Sequence, residues 1–167
     1  KDKSKKDLTK LNILFLILFI SFLIYKTHDD FPYYHFPYIH YLTQNELLIG
    51  VGNFNHGFRT PSSIFYLNSL FYLPYAEYNL FNFGQIFILG FANIILLKKI
   101  HNYFVSFEIR AIKLNFINYL SLFSFIFINI FFYRISEHGT DRSAQILIFI
   151  FVIEILNFVN SKDKKFL

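Results

Sequence analysis

Residues 114–133 read LNFINYLSLFSFIFINIFFY, twenty consecutive positions without a charged side chain. A helix needs about 20 apolar residues to cross the ~30 Å hydrocarbon core of a bilayer, so this stretch has the length and composition of a transmembrane helix. Within lipid, the backbone N–H and C=O groups have to be satisfied inside their own segment, which favours a helix in spite of the many aromatic and β-branched residues. The stretch therefore predicts a membrane-spanning helix.

Three further apolar stretches resemble it, at residues 8–25, 80–97 and 144–160. Hydrophobic residues make up 54% of the chain and charged residues only 16%, a composition that excludes an ordinary soluble domain. The first stretch could also be a signal peptide, but no small-residue cleavage site follows it, so we interpret it as an uncleaved anchor. The sequence predicts an all-α integral membrane protein with four transmembrane helices in a single membrane domain.

The distribution of positive charge predicts the orientation of these helices. Twelve of the sixteen Lys and Arg residues precede Leu11, separate the second stretch from the third, or follow the fourth. Lys and Arg concentrate on the cytoplasmic side of membrane proteins, so we expect both termini in the cytoplasm. The net charge of +5 requires no nucleic acid, because anionic membrane lipids are sufficient partners.

This topology creates two outer loops, at residues 26–79 and 134–143. Within the long loop, TPSSIFYLNSLFYLP predicts a short helix over about residues 61–73 that lies in the membrane interface. Thr60 is its expected N-cap, with Pro61 in the first position and Pro74 after its end.

Two other parts of the long loop carry backbone signals. Pro32 and Pro37 are expected to keep residues 31–37 out of a regular helix. The stretch IGVGNFNHGFRT at residues 49–60 contains three glycines and two asparagines, and it predicts a region of turns. Its likeness to a phosphate-binding loop is superficial, since no strand precedes it.

Acidic residues occur in both outer loops. HDDFPYYH, residues 28–35, begins the long loop with Asp29 and Asp30, and EHGTDR in the short loop contains Glu137 and Asp141. One interpretation is structural: a polar stop beyond a membrane helix, and an Asp N-cap for the fourth span. The other is chemical, since loops on one side of the membrane can bring four carboxylates and neighbouring arginines together around a divalent cation and a phosphate.

The order of these motifs resembles the GT-C superfamily of multispan glycosyltransferases, and the loop sequence is similar to uncharacterised bacterial multispan membrane proteins. Families of this group place an acidic motif in the first outer loop and a second in the next, which HDD and EHGTD would match. Such enzymes have more than four spans. The resemblance, like the absence of Met, leads us to expect that the chain is part of a longer protein.

The resemblance implies an integral protein of the bacterial inner membrane that transfers a sugar from a polyprenyl-phosphate donor to an acceptor on the outer face of the membrane. Asp30 would be the catalytic base and Asp29 the alternate, while Glu137 and Asp141 would orient the acceptor or, with the two aspartates, bind Mg²⁺ or Mn²⁺. Side chains expected to meet the phosphate are Arg134, Arg142, Arg59 and His35.

Other classes of function remain open from the sequence. A non-enzymatic membrane module for assembly, interaction or transport is the main alternative. A transporter should carry ionisable groups within its spans, where Glu154 is the one acid, with Asn82, Gln85, Asn93 and Asn129 as polar companions. A membrane acyltransferase is disfavoured because His138 and Asp141 lack the His-x4-Asp spacing. His35 and His40 also have a plainer interpretation as packing residues.

Overall fold

The structure is a computed structural model that describes residues 2–23, 29–46, 49–110, 116–131 and 140–163. Within these ranges every regular element is helical, which confirms the predicted all-α class. The α-helices are α1 (Asp2–Leu23), α2 (Phe36–Gln44), α3 (Ser63–Ser69), α4 (Phe83–Arg110), α5 (Phe116–Phe131) and α6 (Thr140–Asp163). Shorter elements are a π-helix at Phe31–His35 and 3₁₀ turns at Val51–Asn53, His56–Phe58 and Tyr78–Leu80.

The described residues form two compact units. The first contains α1, the segment with α2 and α3, and the start of α4 up to Phe87. The second contains α4 from Ile88 onwards, with α5 and with α6 from Asp141. We refer to the described residues 29–46 and 49–82 of the first unit as the loop segment.

Two described helices are long and apolar enough to cross a membrane, at Tyr78–Val105 and Asp141–Asn160. They correspond to the second and fourth predicted spans. Only 17% of the Asp141–Asn160 segment is buried, so α6 presents apolar side chains over most of its circumference. A helix that exposes this much apolar surface is typical of contact with lipid or with a partner.

Of the four predicted spans, two have spanning length within the described residues, and the other two are described only in part. The described part of α5 has 16 residues and is an apolar helix below spanning length. In α1 the first half carries four lysines and two aspartates, and the described apolar part from Leu11 to Leu23 extends roughly 20 Å at 1.5 Å per residue, less than the ~30 Å that a span needs. The described residues thus contain two helices of spanning length, not four, and the four-span topology stays a prediction.

The prolines of the loop segment shape its first helices. Residues 31–35 form a π-helix, in which the Asp30 carbonyl accepts from the N–H groups of Tyr33 and Tyr34 at 3.2 and 3.1 Å. The expected exclusion from a regular helix therefore holds over these residues, but it is wrong for Phe36 and Pro37, which begin α2. Proline is tolerated in a first helical turn because its missing N–H would have no partner within the helix there.

The predicted short helix is present as α3, although it is shorter than expected. It begins after Ser62 rather than Thr60 and ends at Ser69. Gly84 allows α3 to pack closely against the start of α4, since a Cβ at this position would collide with the Asn68 side chain. The backbone of α4 at Gly84 therefore lies directly against the Asn68 side chain of α3.

Polar contacts join the helices of the second unit. The side-chain amides of Asn93 on α4 and Asn129 on α5 donate to each other, at 3.2 and 2.7 Å. Lys99 on α4 pairs with Glu154 on α6 at 3.0 Å. Two reciprocal amide bonds satisfy both side chains at once, which is the favourable way to place polar groups between apolar helices.

Candidate functional site

The two adjacent acids at the start of the loop segment have different environments. Asp29 is exposed, whereas Asp30 is half-buried and its Oδ2 accepts a hydrogen bond from the Tyr34 hydroxyl at 3.3 Å. Of the two acids, Asp30 is therefore the one whose carboxylate is bonded to a side chain of the loop segment.

The turn region holds Tyr34 in place. Asn55 donates through Nδ2 to the Tyr33 carbonyl at 3.1 Å, and its Oδ1 accepts from the Gly57 N–H at 2.9 Å. The Tyr34 ring packs directly on Gly57, where any Cβ would collide with the ring. Glycine is therefore required at position 57 for this close approach.

A cavity of about 440 Å³ opens beside the Tyr34 ring. We call it the Tyr34 pocket. Its lining residues are Tyr34, Asn55, His56, Gly57, Thr60, Ser62 and Phe65. The pocket combines two aromatic rings with hydroxyl, amide and imidazole groups, and these polar groups can both donate and accept hydrogen bonds. This mixture suits a ligand with several hydroxyl groups and apolar C–H faces, as a sugar has.

A second cavity, of about 380 Å³, lies on the same turn region. We call it the Arg59 pocket. Its lining residues are Tyr38, Tyr41, Gly50, Val51, Gly52, Asn53, Phe58 and Arg59. The Arg59 Nε–H donates to the Gly52 carbonyl at 3.3 Å, and a Cβ at position 52 would come within 2.9 Å of Arg59 Cγ. The two pockets have no lining residue in common.

Tyr38 contacts one wall residue of each pocket. Its ring centroid lies 5.1 Å from that of Phe58 and 5.7 Å from that of Phe65. Its hydroxyl lies 3.0 Å from the Tyr66 hydroxyl. Burial, together with this hydrogen bond, raises the pKa of Tyr38 above its ordinary value. Tyr38 is therefore a neutral structural group that fixes the aromatic wall between the pockets.

His35, expected to meet phosphate, is buried behind this wall. It is 2% exposed, and its ring lies 4.3 Å from the Tyr34 ring and 5.2 Å from the Phe65 ring. This placement agrees with the packing interpretation of His35. An imidazole within an aromatic cluster positions Tyr34 and Phe65 instead of presenting itself to a ligand.

The second acidic motif lies largely beyond the described part of the chain, since Glu137 and Arg134 are outside the described residues. Asp141 is exposed in the first turn of α6, where a carboxylate interacts favourably with the helix dipole, and Arg142 beside it is half-buried. The described residues contain no group of three His, Cys, Asp or Glu that could hold a metal ion. The shared acidic site and its metal thus stay predictions.

Sequence reasoning missed the contribution of the turn region to both pockets. Apart from Arg59, the stretch at residues 49–60 was expected only to form turns, yet it supplies Asn55 and Gly57 to one pocket and Gly52 and Arg59 to the other. The sequence signal for this was the density of glycine and asparagine, which allows close backbone approach and local hydrogen bonds. The other residues of the two pockets, contributed by the π-helix, α2 and α3, had no signal in the pattern.

Comparison with known families places the chain in one of them. The model of a domain of unknown function, DUF8201, matches residues 2–167. The chain belongs to the DUF8201 family. No curated protein and no solved structure matches the chain.

Proposed function

We propose that this DUF8201 protein is a membrane glycosyltransferase that uses a polyprenyl-phosphate-linked sugar and binds a sugar unit in the Tyr34 pocket. The observation that supports this best is the hydrogen bond from the Tyr34 hydroxyl to Asp30 at 3.3 Å, because Tyr34 also lines a pocket with hydroxyl and amide groups. A carboxylate bonded to a residue of a pocket suited to a polyol supports general-base catalysis of glycosyl transfer.

In the proposed reaction Asp30 takes the proton of an acceptor hydroxyl as that oxygen attacks the anomeric carbon of the donor. The bond from this carbon to the phosphate oxygen breaks, and its electron pair leaves with the polyprenyl phosphate. The Tyr34 hydroxyl orients the Asp30 carboxylate, and cationic groups stabilise the departing phosphate. Arg134 and Arg59 are proposed for that role, with Mg²⁺ or Mn²⁺ as an additional cation.

We also propose that the chain lies in a membrane with four spans and both ends in the cytoplasm. The two helices of spanning length support this, together with the apolar α5 and the one-sided distribution of Lys and Arg. The chain contains no Cys, so single cysteines can be introduced at His56 and Lys99. A membrane-impermeant thiol reagent should label position 56 from outside and leave position 99 unlabelled, and the reverse pattern would overturn this orientation.

The transferase proposal is tested by comparing Asp30→Asn with Asp29→Asn. Membranes that carry the protein are supplied with radiolabelled polyprenyl-phosphate sugars, and label in acceptor material is counted. Asp30→Asn should reduce transfer at least 10²-fold, because it removes the base with almost no change in size, while exposed Asp29→Asn should retain most of it. Equal activity in both variants, at equal protein levels, would refute the role of Asp30.

A non-enzymatic membrane module is a second candidate, and the polar contacts of the second unit favour it. The Asn93–Asn129 and Lys99–Glu154 pairs use polar groups to join helices, as a scaffold requires. Glu154, which a transporter would use, is already paired with Lys99. A panel of polyprenyl-phosphate sugars that gives no transfer above empty membranes would favour this candidate over the enzyme.

A further inference from the structure

The Arg59 pocket is bordered by two fully exposed apolar side chains. Ile49 and Phe54 are 106% and 92% exposed, and they flank the segment Gly50–Asn53 that lines the pocket. The segment is one compact turn, closed by hydrogen bonds from the Asn53 N–H to the Gly50 carbonyl at 2.9 Å and from the Phe54 N–H to the Val51 carbonyl at 3.0 Å. Ile49 and Phe54 are therefore held at the two ends of a single turn.

The pocket itself is cationic. Arg59 is the one charged residue among the described residues that line it. The Nε–H contact with Gly52 fixes the side chain and uses one of the five guanidinium N–H donors, so the others can bind an anion. Asn53 adds a further amide donor, and the rings of Tyr41 and Phe58 form apolar walls.

Together these features match a phospholipid at the surface of a bilayer. A guanidinium binds phosphate oxygens through paired, charge-assisted hydrogen bonds. Exposed apolar side chains beside such a site lose their contact with water when they enter the acyl region. In a soluble environment two fully exposed large side chains next to one pocket would gain nothing from that exposure.

We propose that the Arg59 pocket binds the phosphate of an anionic phospholipid headgroup, with Ile49 and Phe54 inserted into the apolar layer below it. The turn region would thereby anchor the loop segment at the membrane surface. This site is separate from the Tyr34 pocket and does not depend on the proposed sugar transfer. In this proposal Arg59 binds a lipid of the bilayer. In the transferase proposal Arg59 binds the phosphate of the sugar donor.

The test is lipid binding to the full chain purified in a neutral detergent. Dioctanoyl phosphatidylglycerol is titrated and bound lipid is counted by native mass spectrometry, with dioctanoyl phosphatidylcholine and inorganic phosphate as the other two arms. Wild type should bind phosphatidylglycerol more tightly than phosphatidylcholine. Arg59→Gln should weaken phosphatidylglycerol binding roughly tenfold, the loss of about one charge-assisted contact. Lys98→Gln, which removes an exposed cation on α4, should change it less than twofold.

A double variant, Ile49→Ser with Phe54→Ser, separates the two possible sources of phosphate. It should weaken phosphatidylglycerol binding and leave any binding of inorganic phosphate unchanged. Competition by inorganic phosphate as strong as that by the lipid, with no effect of the double variant, would overturn the lipid assignment in favour of a soluble phosphate ligand. Unchanged lipid binding in Arg59→Gln, with the helical circular dichroism of wild type, would overturn the site altogether. Sugar transfer is scored independently through Asp30→Asn, so the two proposals can fail separately.

Discussion

The loop segment and the helices of the second unit use apolar residues in different ways. In the loop segment the buried apolar groups are largely aromatic, and several carry hydroxyls that are paired, as in Tyr34 with Asp30 and Tyr38 with Tyr66. In the second unit polar groups occur as isolated pairs between long helices, such as Asn93 with Asn129. The difference shows that one highly apolar composition can build both a ligand-sized pocket and a set of apolar helices.

The physical reason lies in what each region has to satisfy. A membrane helix satisfies its own backbone, so its side chains need only be apolar and its rare polar groups paired. A short helix between turns leaves many backbone groups at its ends, and these are met by side chains such as Asn55. Pockets arise where those turns meet aromatic rings.

The largest expected effect comes from the aromatic core of the first unit. Phe65, 2% exposed, contacts His35 and Tyr38, so Phe65→Ala should cost about 3–5 kcal/mol of unfolding free energy. Unfolding in a denaturing-detergent titration measures it. The control is Leu70→Ala, at the C-cap of α3. Leu70 is 76% exposed, so its loss should change stability by less than ~1 kcal/mol. Equal effects would show that the loop segment has no packed core.

Gly57→Ala tests whether the Tyr34 ring needs its close contact with residue 57. The added methyl group collides with the Tyr34 ring, so we expect a loss of about 1–3 kcal/mol and a displaced Tyr34. Sugar transfer should fall while lipid binding at the Arg59 pocket persists. A variant with wild-type stability and transfer would show that the ring does not need the contact with residue 57.

The amide pair tests the second unit. Asn93→Leu alone removes both hydrogen bonds between Asn93 and Asn129 and should cost about 1–2 kcal/mol, whereas Asn93→Leu combined with Asn129→Leu should recover much of that loss. A double-mutant cycle of unfolding midpoints measures the coupling. Additive effects of the two single variants would mean that the amides do not depend on each other.

The raised pKa of Tyr38 predicts a pH effect confined to the first unit. The unfolded chain ionises this phenol at about pH 10, whereas burial keeps it neutral in the folded state, so its contribution to stability is present below pH ~10 and is lost as pH rises above it. Tyr38→Phe should therefore lose less stability than wild type between pH 9 and 11. Parallel pH curves for the two proteins would contradict a buried Tyr38.

The smallest effect is expected from Lys99 and Glu154. Their side chains are 21% and 51% exposed, so the ion pair is worth at most ~1 kcal/mol. Exchanging the two residues should leave the unfolding midpoint nearly unchanged, and each charge-removing single variant should lower it slightly. A loss of several kcal/mol in the exchanged protein would indicate that the pair is buried in a low-dielectric environment.

Sequence reasoning predicted the helical class because apolar length and composition determine it. It also predicted α3 within residues 61–73. It predicted four spans, of which the described residues contain two helices of spanning length, because apolar composition does not determine where each helix begins and ends.

The two pockets could not be predicted from the sequence, for a different reason. They depend on contacts between residues distant in the chain, such as Tyr34 with Gly57 and Arg59 with Gly52. A glycine-rich stretch indicates close approach without indicating what approaches. The prolines were misleading at α2, because a first helical turn accepts a proline that an interior turn would reject.

Photo-crosslinking tests whether the loop segment, and not the helices of the second unit, recognises the sugar. A polyprenyl-phosphate sugar with a diazirine on the sugar ring is irradiated with the protein in membranes, and labelled peptides are identified by mass spectrometry. We expect label in peptides that contain Tyr34 and residues 55–62, reduced in Gly57→Ala and retained in Asn93→Leu. Label concentrated in α5 and α6, and unaffected by Gly57→Ala, would contradict sugar recognition by the loop segment.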